Sequence, residues 1–283
     1  MNSKLKKILC VVGVASMAMF TLAGCGGAAE EEAPAEEAAT SEITVYAAAS
    51  MTESLDKVIA AYEGENEGVK VNVSYGSSGD LETQIKEGEA VDVFISAGQK
   101  QMNELEAGNE ANLDESDYVV KDSRVDLLEN KVVLCVAETS KADIKTFDDL
   151  TAHLKAGDIT FAMGNVESVP VGQYTDEILK NYGLDHAALA DKGVISYCED
   201  VKAVTTAVTE GNVDCGIIYA TDAYSAGLTP VAEAGTDICS QIIYPAAVMS
   251  CGANQEEGQK FLDYLQTEGA MKEFQTVGFT PVK

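Results

Sequence analysis

Three junctions between apolar and polar stretches carry the chemistry of this chain: Ala47-Ala48-Ala49-Ser50, Tyr75-Gly76-Ser77-Ser78-Gly79 and Val169-Pro170-Val171-Gly172. Cys198-Glu199-Asp200-Val201 is a fourth candidate. Each reads as a turn from a strand into a helix, where the first backbone N–H groups have no intrahelical acceptor. Several such turns converging would bind an anion without lysine or arginine, because the helix dipole adds to the free donors. Ser50 with Glu53 three residues on predicts a capping box. Pro170 suits a first helical turn, and Asp200 suits an N-cap for a helix through Val204 and Val208. Taken singly, each serine is explained as a cap. Ser50 or Ser78 as the nucleophile of a hydrolase is the enzymatic alternative. There is no GxSxG and no P-loop, and the only imidazoles are His153 and His186, both in polar helical stretches. The reading is therefore a binding protein, not an enzyme, with no cofactor and no metal cation.

The elements that must position these turns follow from hydrophobic period. Strands are expected at Ile43 to Ala47, Val69 to Tyr75 and Val91 to Ser96, with helices from Met51 to about Glu65 and from Asp80 to Glu87. Leu55, Val58, Ile59 and Tyr62 recur at helical spacing and form one apolar stripe. A second block has strands at Lys131 to Ala137, Ile159 to Met163, Val194 to Tyr197 and Val213 to Tyr219. Ile242 to Met249 reads as a further strand and Gly258 to Phe274 as two closing helices. Alternating strands and helices in two blocks predict an α/β protein of two lobes. The turns then fall at the carboxyl ends of strands, where open α/β sheets bind ligands.

Composition narrows the partners. The 283 residues hold 19 Lys and Arg against 47 Asp and Glu, a formal charge of −28. That disfavours nucleic acid and anionic membrane surfaces as electrostatic partners. Residues 1–24 read as an export signal, basic at Lys4, Lys6 and Lys7 and apolar from Ile8 to Ala23, with too short a run for an ordinary membrane span. Leu22-Ala23-Gly24-Cys25 resembles the lipobox of bacterial lipoproteins, which makes Cys25 the expected lipidated residue and the cell membrane the expected anchor. Losing the three lysines of the leader leaves 16 basic against 47 acidic residues, or −31. Residues 25–42 carry Glu30, Glu31, Glu32, Glu36, Glu37 and Glu42 without apolar periodicity and read as an acidic tether. Cys135, Cys198, Cys215, Cys239 and Cys251 remain, with no CxxC spacing to support a zinc or redox motif; a disulfide such as Cys239 to Cys251 stays open.

These turns carry a resemblance. Ile43-Thr44-Val45-Tyr46-Ala47-Ala48-Ala49-Ser50-Met51-Thr52, Gly76-Ser77-Ser78-Gly79, Asp92-Val93-Phe94-Ile95-Ser96-Ala97, Val169-Pro170-Val171-Gly172-Gln173-Tyr174, Glu199-Asp200-Val201, Gly216-Ile217-Ile218-Tyr219 and the closing Val277-Gly278-Phe279 are similar, in order, to the periplasmic molybdate-binding proteins of ABC importers. What points to a ligand is the conjunction of several such turns with this family resemblance. The resemblance implies a type II periplasmic-binding-protein fold, two α/β lobes joined by two crossing segments, with lobe 1 at 43–128 and 243–283 and lobe 2 at 129–242. It implies a monomer that binds molybdate or tungstate and passes it to an ABC permease. The implied contacts are Ser50 and Ser78 through hydroxyl and N–H, Val171 and Val201 through N–H, and Tyr219 through its hydroxyl. Both Ser77 and Ser78 are candidates for the second of these. Other oxyanions (tungstate alone, sulfate or thiosulfate) form the alternative within the binding class, and an adhesin or sensor lipoprotein the alternative outside it.

Overall fold

The computed structural model of the protein describes residues 41–282. The expected signal, Cys25 and all of the tether before Ser41 lie outside the described residues. The chain opens with β1 (Ser41–Ala48), a 3-10 turn (Ala49–Met51), α1 (Thr52–Glu65), β2 (Val69–Gly76), α2 (Ser78–Lys86), β3 (Val93–Ile95), α3 (Gln99–Leu105) and β4 (Val125–Asn130). It continues through β5 (Val132–Val136), α4 (Phe147–Ala156), β6 (Phe161–Gly164), α5 (Pro170–Asn181), α6 (His186–Asp191) and β7 (Ile195–Cys198). Then come α7 (Val201–Thr209), β8 (Cys215–Tyr219), α8 (Ala220–Ser225) and β9 (Ala232–Glu233). The last elements are β10 (Ile242–Val248), α9 (Gln255–Leu265), α10 (Glu268–Thr276) and β11 (Thr280–Pro281).

These strands form two sheets, one of six strands in the order β11-β4-β10-β3-β1-β2 and one of five in the order β7-β6-β8-β5-β9. The chain leaves the first sheet between Asn130 and Val132 and returns between Glu233 and Ile242, so two segments join two α/β lobes. In each sheet the strands that end at the polar turns are parallel: β1 with β2 and β3, and β6 with β7 and β8. Parallel strands covered on both faces need continuous apolar runs, which explains why β3, β6 and β8 are buried at every residue; β10, antiparallel to both its neighbours, is buried throughout as well. The stripe of α1 packs as its spacing predicts, with Leu55, Val58, Ile59 and Tyr62 all buried and Tyr62 edge-on to Phe261 of α9.

Two details depart from the sequence reading. β4 and α3 were not among the expected elements; Asp126 and Glu129 interrupt the apolar alternation of β4, which pairs with β10 and β11. Ser50 is not a cap. It sits inside the 3-10 turn, the N-cap of α1 is Met51 without a side-chain bond, and Glu53 reaches Lys202 instead of closing a box. A capping box does occur elsewhere, at Thr146 and Asp149 on α4. All five cysteines of the described residues are free, so Cys239 and Cys251 are not joined.

Candidate functional site

The turns after β1, β2, β3, β6 and β7 and the end of β8 meet around one small cavity. Ser50, Ser78, Val171, Val201 and Tyr219 all border it, and none is more than 4% exposed. Ser78 and Val201 begin α2 and α7, and Val171 follows Pro170 at the start of α5, so their N–H groups have no intrahelical acceptor. Ser50 lies in the first turn ahead of α1, where the same holds. Pro170 occupies the first helical position at no cost, since the N–H it lacks would also have been unpaired.

Hydroxyl groups complete the set of donors. Ser78 Oγ accepts the Ala97 N–H at 2.9 Å, which leaves its own hydrogen for the cavity. Ser77 borders the cavity too, but its Oγ accepts the Asp80 N–H at 3.2 Å as the N-cap of α2. Ser50 Oγ lies 2.8 Å from Tyr244 Oη. The Tyr219 hydroxyl donates to the Ala97 carbonyl at 3.3 Å. Burial holds the Tyr219 pKa well above the ordinary phenol range, so it keeps its one hydrogen at any physiological pH and would give it to a ligand by turning it away from the Ala97 carbonyl.

No lysine, arginine or histidine borders the cavity among the described residues. Its one carboxylate, Asp200, is committed as the N-cap of α7, with Oδ1 accepting the Ala203 N–H at 2.8 Å. The nearby ammonium of Lys202 is spent on carboxylates, at 2.6 and 2.8 Å from the two oxygens of Glu53 and 3.4 Å from Asp222 Oδ1. Asp222 is buried, and burial pushes its pKa up to about 7 against the opposing pull of Lys202. His153 pairs with Asp158 and His186 with Tyr197, so neither is placed as a base for a serine at the cavity. Both are half-buried rather than exposed. The arrangement can hold an acceptor-only anion.

Contacts between the lobes surround the cavity. Gly79 N–H donates to the Ser168 carbonyl at 2.8 Å, Gln101 Nε2 to Gln173 Oε1 at 3.3 Å, and Lys202 reaches Glu53 across the same gap. A Cβ on Gly79 would lie 2.5 Å from the Ser168 carbonyl oxygen. Glycine there is what lets the two backbones touch.

The profile of bacterial extracellular solute-binding proteins matches residues 43–280. The chain belongs to that family. This solute-binding protein is 34% identical over 269 residues to YvgL of Bacillus subtilis, named as a candidate ABC transporter substrate-binding lipoprotein; the match covers 94% of this chain and 96% of that one. It is 32% identical over 247 residues to the molybdate-binding protein ModA of Haemophilus influenzae, covering 86% and 91%. Among solved structures it is similar to the substrate-binding domain of a candidate molybdenum ABC transporter from Clostridium difficile, with 34% identity, a TM-score of 0.60 and coverage of 86% and 100%. The periplasmic molybdate-binding protein of Azotobacter vinelandii, at 20% identity, shares the fold with a TM-score of 0.71 over 85% of this chain and all of that one. The fold of this solute-binding protein is the type II periplasmic-binding-protein fold.

Sequence reasoning missed three contributors to the site. Ala97 bonds both Ser78 and Tyr219 through its backbone, Tyr244 holds Ser50, and Lys202 ties Glu53 to Asp222. Backbone bonding by an alanine leaves no mark in composition. Tyr244 lies in an apolar strand and reads as core.

Proposed function

We propose that this protein captures molybdate, and tungstate equally well, in the cavity between its lobes and delivers it to the membrane permease of an ABC importer. The observation that carries the reading is a buried cavity walled by free N–H groups and hydroxyls and by no basic side chain. Molybdate is a tetrahedral dianion near neutral pH and can only accept hydrogen bonds, so a site of donors suits it. The ligand contacts are Ser50 and Ser78 through hydroxyl and N–H, Val171 and Val201 through N–H, and Tyr219 through its hydroxyl. Ser78 is preferred to Ser77, whose oxygen already caps α2. Phosphate retains a proton near neutral pH and would leave a donor facing donors, so it is rejected. Sulfate has the same charge and shape but is smaller, and it is rejected by the size of the closed cavity.

The protein acts by recognition and catalyses nothing. Lobe 1 comprises 43–128 and 243–283 and lobe 2 comprises 129–242; their closure on the anion gives the shape the permease reads. It works as a monomer outside the cytoplasm, with residues 1–24 removed, a lipid on Cys25 holding it to the membrane and residues 25–42 as spacer. The homologues named for molybdate and for ABC transport support this reading.

Calorimetry on the full chain tests it. Tight binding of molybdate and tungstate with little response to sulfate or phosphate is the expected result; sulfate binding as strong as molybdate defeats the specificity. Ser50→Ala and Ser78→Ala should each weaken molybdate binding by about 1.5 to 3 kcal/mol, the scale of a hydrogen bond to a charged group. Unchanged affinity in both variants would remove these residues from the site.

A further inference from the structure

Behind Ser50 runs a buried polar chain. Asn130 ends β4 and Tyr244 lies in β10, the two strands by which the backbone leaves and re-enters the first sheet. Tyr244 is fully buried and Asn130 nearly so. Asn130 Oδ1 accepts the Lys131 N–H at 2.8 Å, which orients the amide. Its Nδ2 then faces Thr221 Oγ1 and Tyr244 Oη, both at 3.0 Å, and an amide nitrogen only donates. Tyr244 Oη is the acceptor in that bond and keeps its single hydrogen, which Ser50 Oγ at 2.8 Å can accept; by geometry alone either oxygen of that pair could donate. Ser50 Oγ, accepting it, must send its own hydrogen elsewhere, and Ser50 borders the cavity. The placement has a local cause. Register shifts between Tyr244 and Pro245 in the pairing of β10 with β4, because proline brings no N–H to the ladder, and such irregularities re-aim side chains.

We propose that Tyr244 is a positioning residue for the oxyanion site: the ordered run from the Lys131 N–H through Asn130 and Tyr244 to Ser50 commits the Ser50 hydroxyl to donating into the cavity. This rests on the binding reading above. Without the Tyr244 hydrogen, Ser50 Oγ can turn its hydrogen away and present a lone pair to the ligand. The strand pair that joins the lobes thereby helps to set the polarity of the site, favouring oxyanions that carry no proton.

A double-mutant cycle on the full chain, read by calorimetry with molybdate, tests it. Tyr244→Phe keeps the ring and its edge contacts with Tyr219 and Phe279, and should weaken binding about five- to tenfold, the value of one hydrogen bond. In a Ser50→Ala background the same change should alter affinity less than about twofold. An equal loss in both backgrounds would mean that Tyr244 acts by packing, and would overturn the proposal while leaving the oxyanion reading intact. No loss in the otherwise unchanged protein also overturns it, and absence of oxyanion binding by the unchanged protein overturns both. Should Tyr244→Phe not fold, as read by its melting transition, Asn130→Asp replaces it in the cycle. A carboxylate there would accept the Tyr244 hydrogen and force Ser50 to donate backwards, so the same dependence on Ser50 is expected and its absence is equally decisive.

Discussion

Val171 and Val201 border the cavity at helix starts and are also buried among apolar neighbours, so a contact made through the main chain would leave their side chains to the core. In the proposed site Ser50, Ser78 and Tyr219 have no such freedom, because there the hydroxyl itself would be the donor. The sequence showed the serines as helix-start residues and the structure distinguishes them by what each oxygen already accepts: Ser77 a cap bond, Ser78 the Ala97 N–H. Asp222 shows the cost of charge beside such a site. Burial raises its pKa to about 7, so relative to the unfolded chain, where it titrates as an ordinary carboxylate, its contribution to stability is fully present below about pH 4 and is lost as pH rises through about 7. The loss is at most about 1.4 kcal/mol per pH unit across that window. Asp222→Asn should therefore raise the melting temperature at pH 8 and change it little at pH 4. A pH-independent effect of the substitution would show that the carboxyl is not titrating there. Burial likewise raises Glu82 to about 7, so part of the slope should survive.

At the scale of elements, the α/β alternation was legible because parallel buried strands and amphipathic helices have distinct periods. Helices α1, α2, α5 and α7 begin within two residues of the polar turns that predicted them. β4 was not legible, since its charged residues obscure the strand period and its role comes from pairing with β10, a strand more than a hundred residues later. The expected capping box failed for a related reason: Glu53 and Ser50 each found a partner distant in sequence, Lys202 and Tyr244. The start of α2 is where one lobe presses on the other. Gly79→Ala would put a Cβ 2.5 Å from the Ser168 carbonyl oxygen and hold the lobes apart at the cavity. Molybdate affinity should fall at least tenfold, about 1.4 kcal/mol, while the melting temperature of the unliganded protein changes little. Full affinity in this variant would mean that closure does not require that contact.

At the scale of the molecule, a charge of −28 opposes the approach of a dianion. Screening should relieve this. Between about 0.01 M and about 0.15 M salt the Debye length falls from about 30 to about 8 Å, so the association rate for molybdate should rise. The chain has 11 tyrosines and no tryptophan, so stopped-flow tyrosine fluorescence can follow it. A rate that falls with salt would point to a positive field at the cleft, whereas no basic residue borders the cavity among the described residues. Affinity, by contrast, rests on short-range donors in a buried space and should vary less with salt than the rate does.

Local information was enough for the strands, the stripes and the polar turns, because hydrophobic period and first-turn chemistry are properties of neighbouring residues. The sequence alone also determined the acidic balance and the small number of histidines, two in all. The tertiary structure decided which free donors share one cavity, which serine oxygen is already used, and how Tyr244 and Asn130 stand behind Ser50. Those are relations between residues separated by 19 to 194 positions, set by the strand order of the first sheet and by the meeting of the two lobes, and no local pattern of residues encodes them.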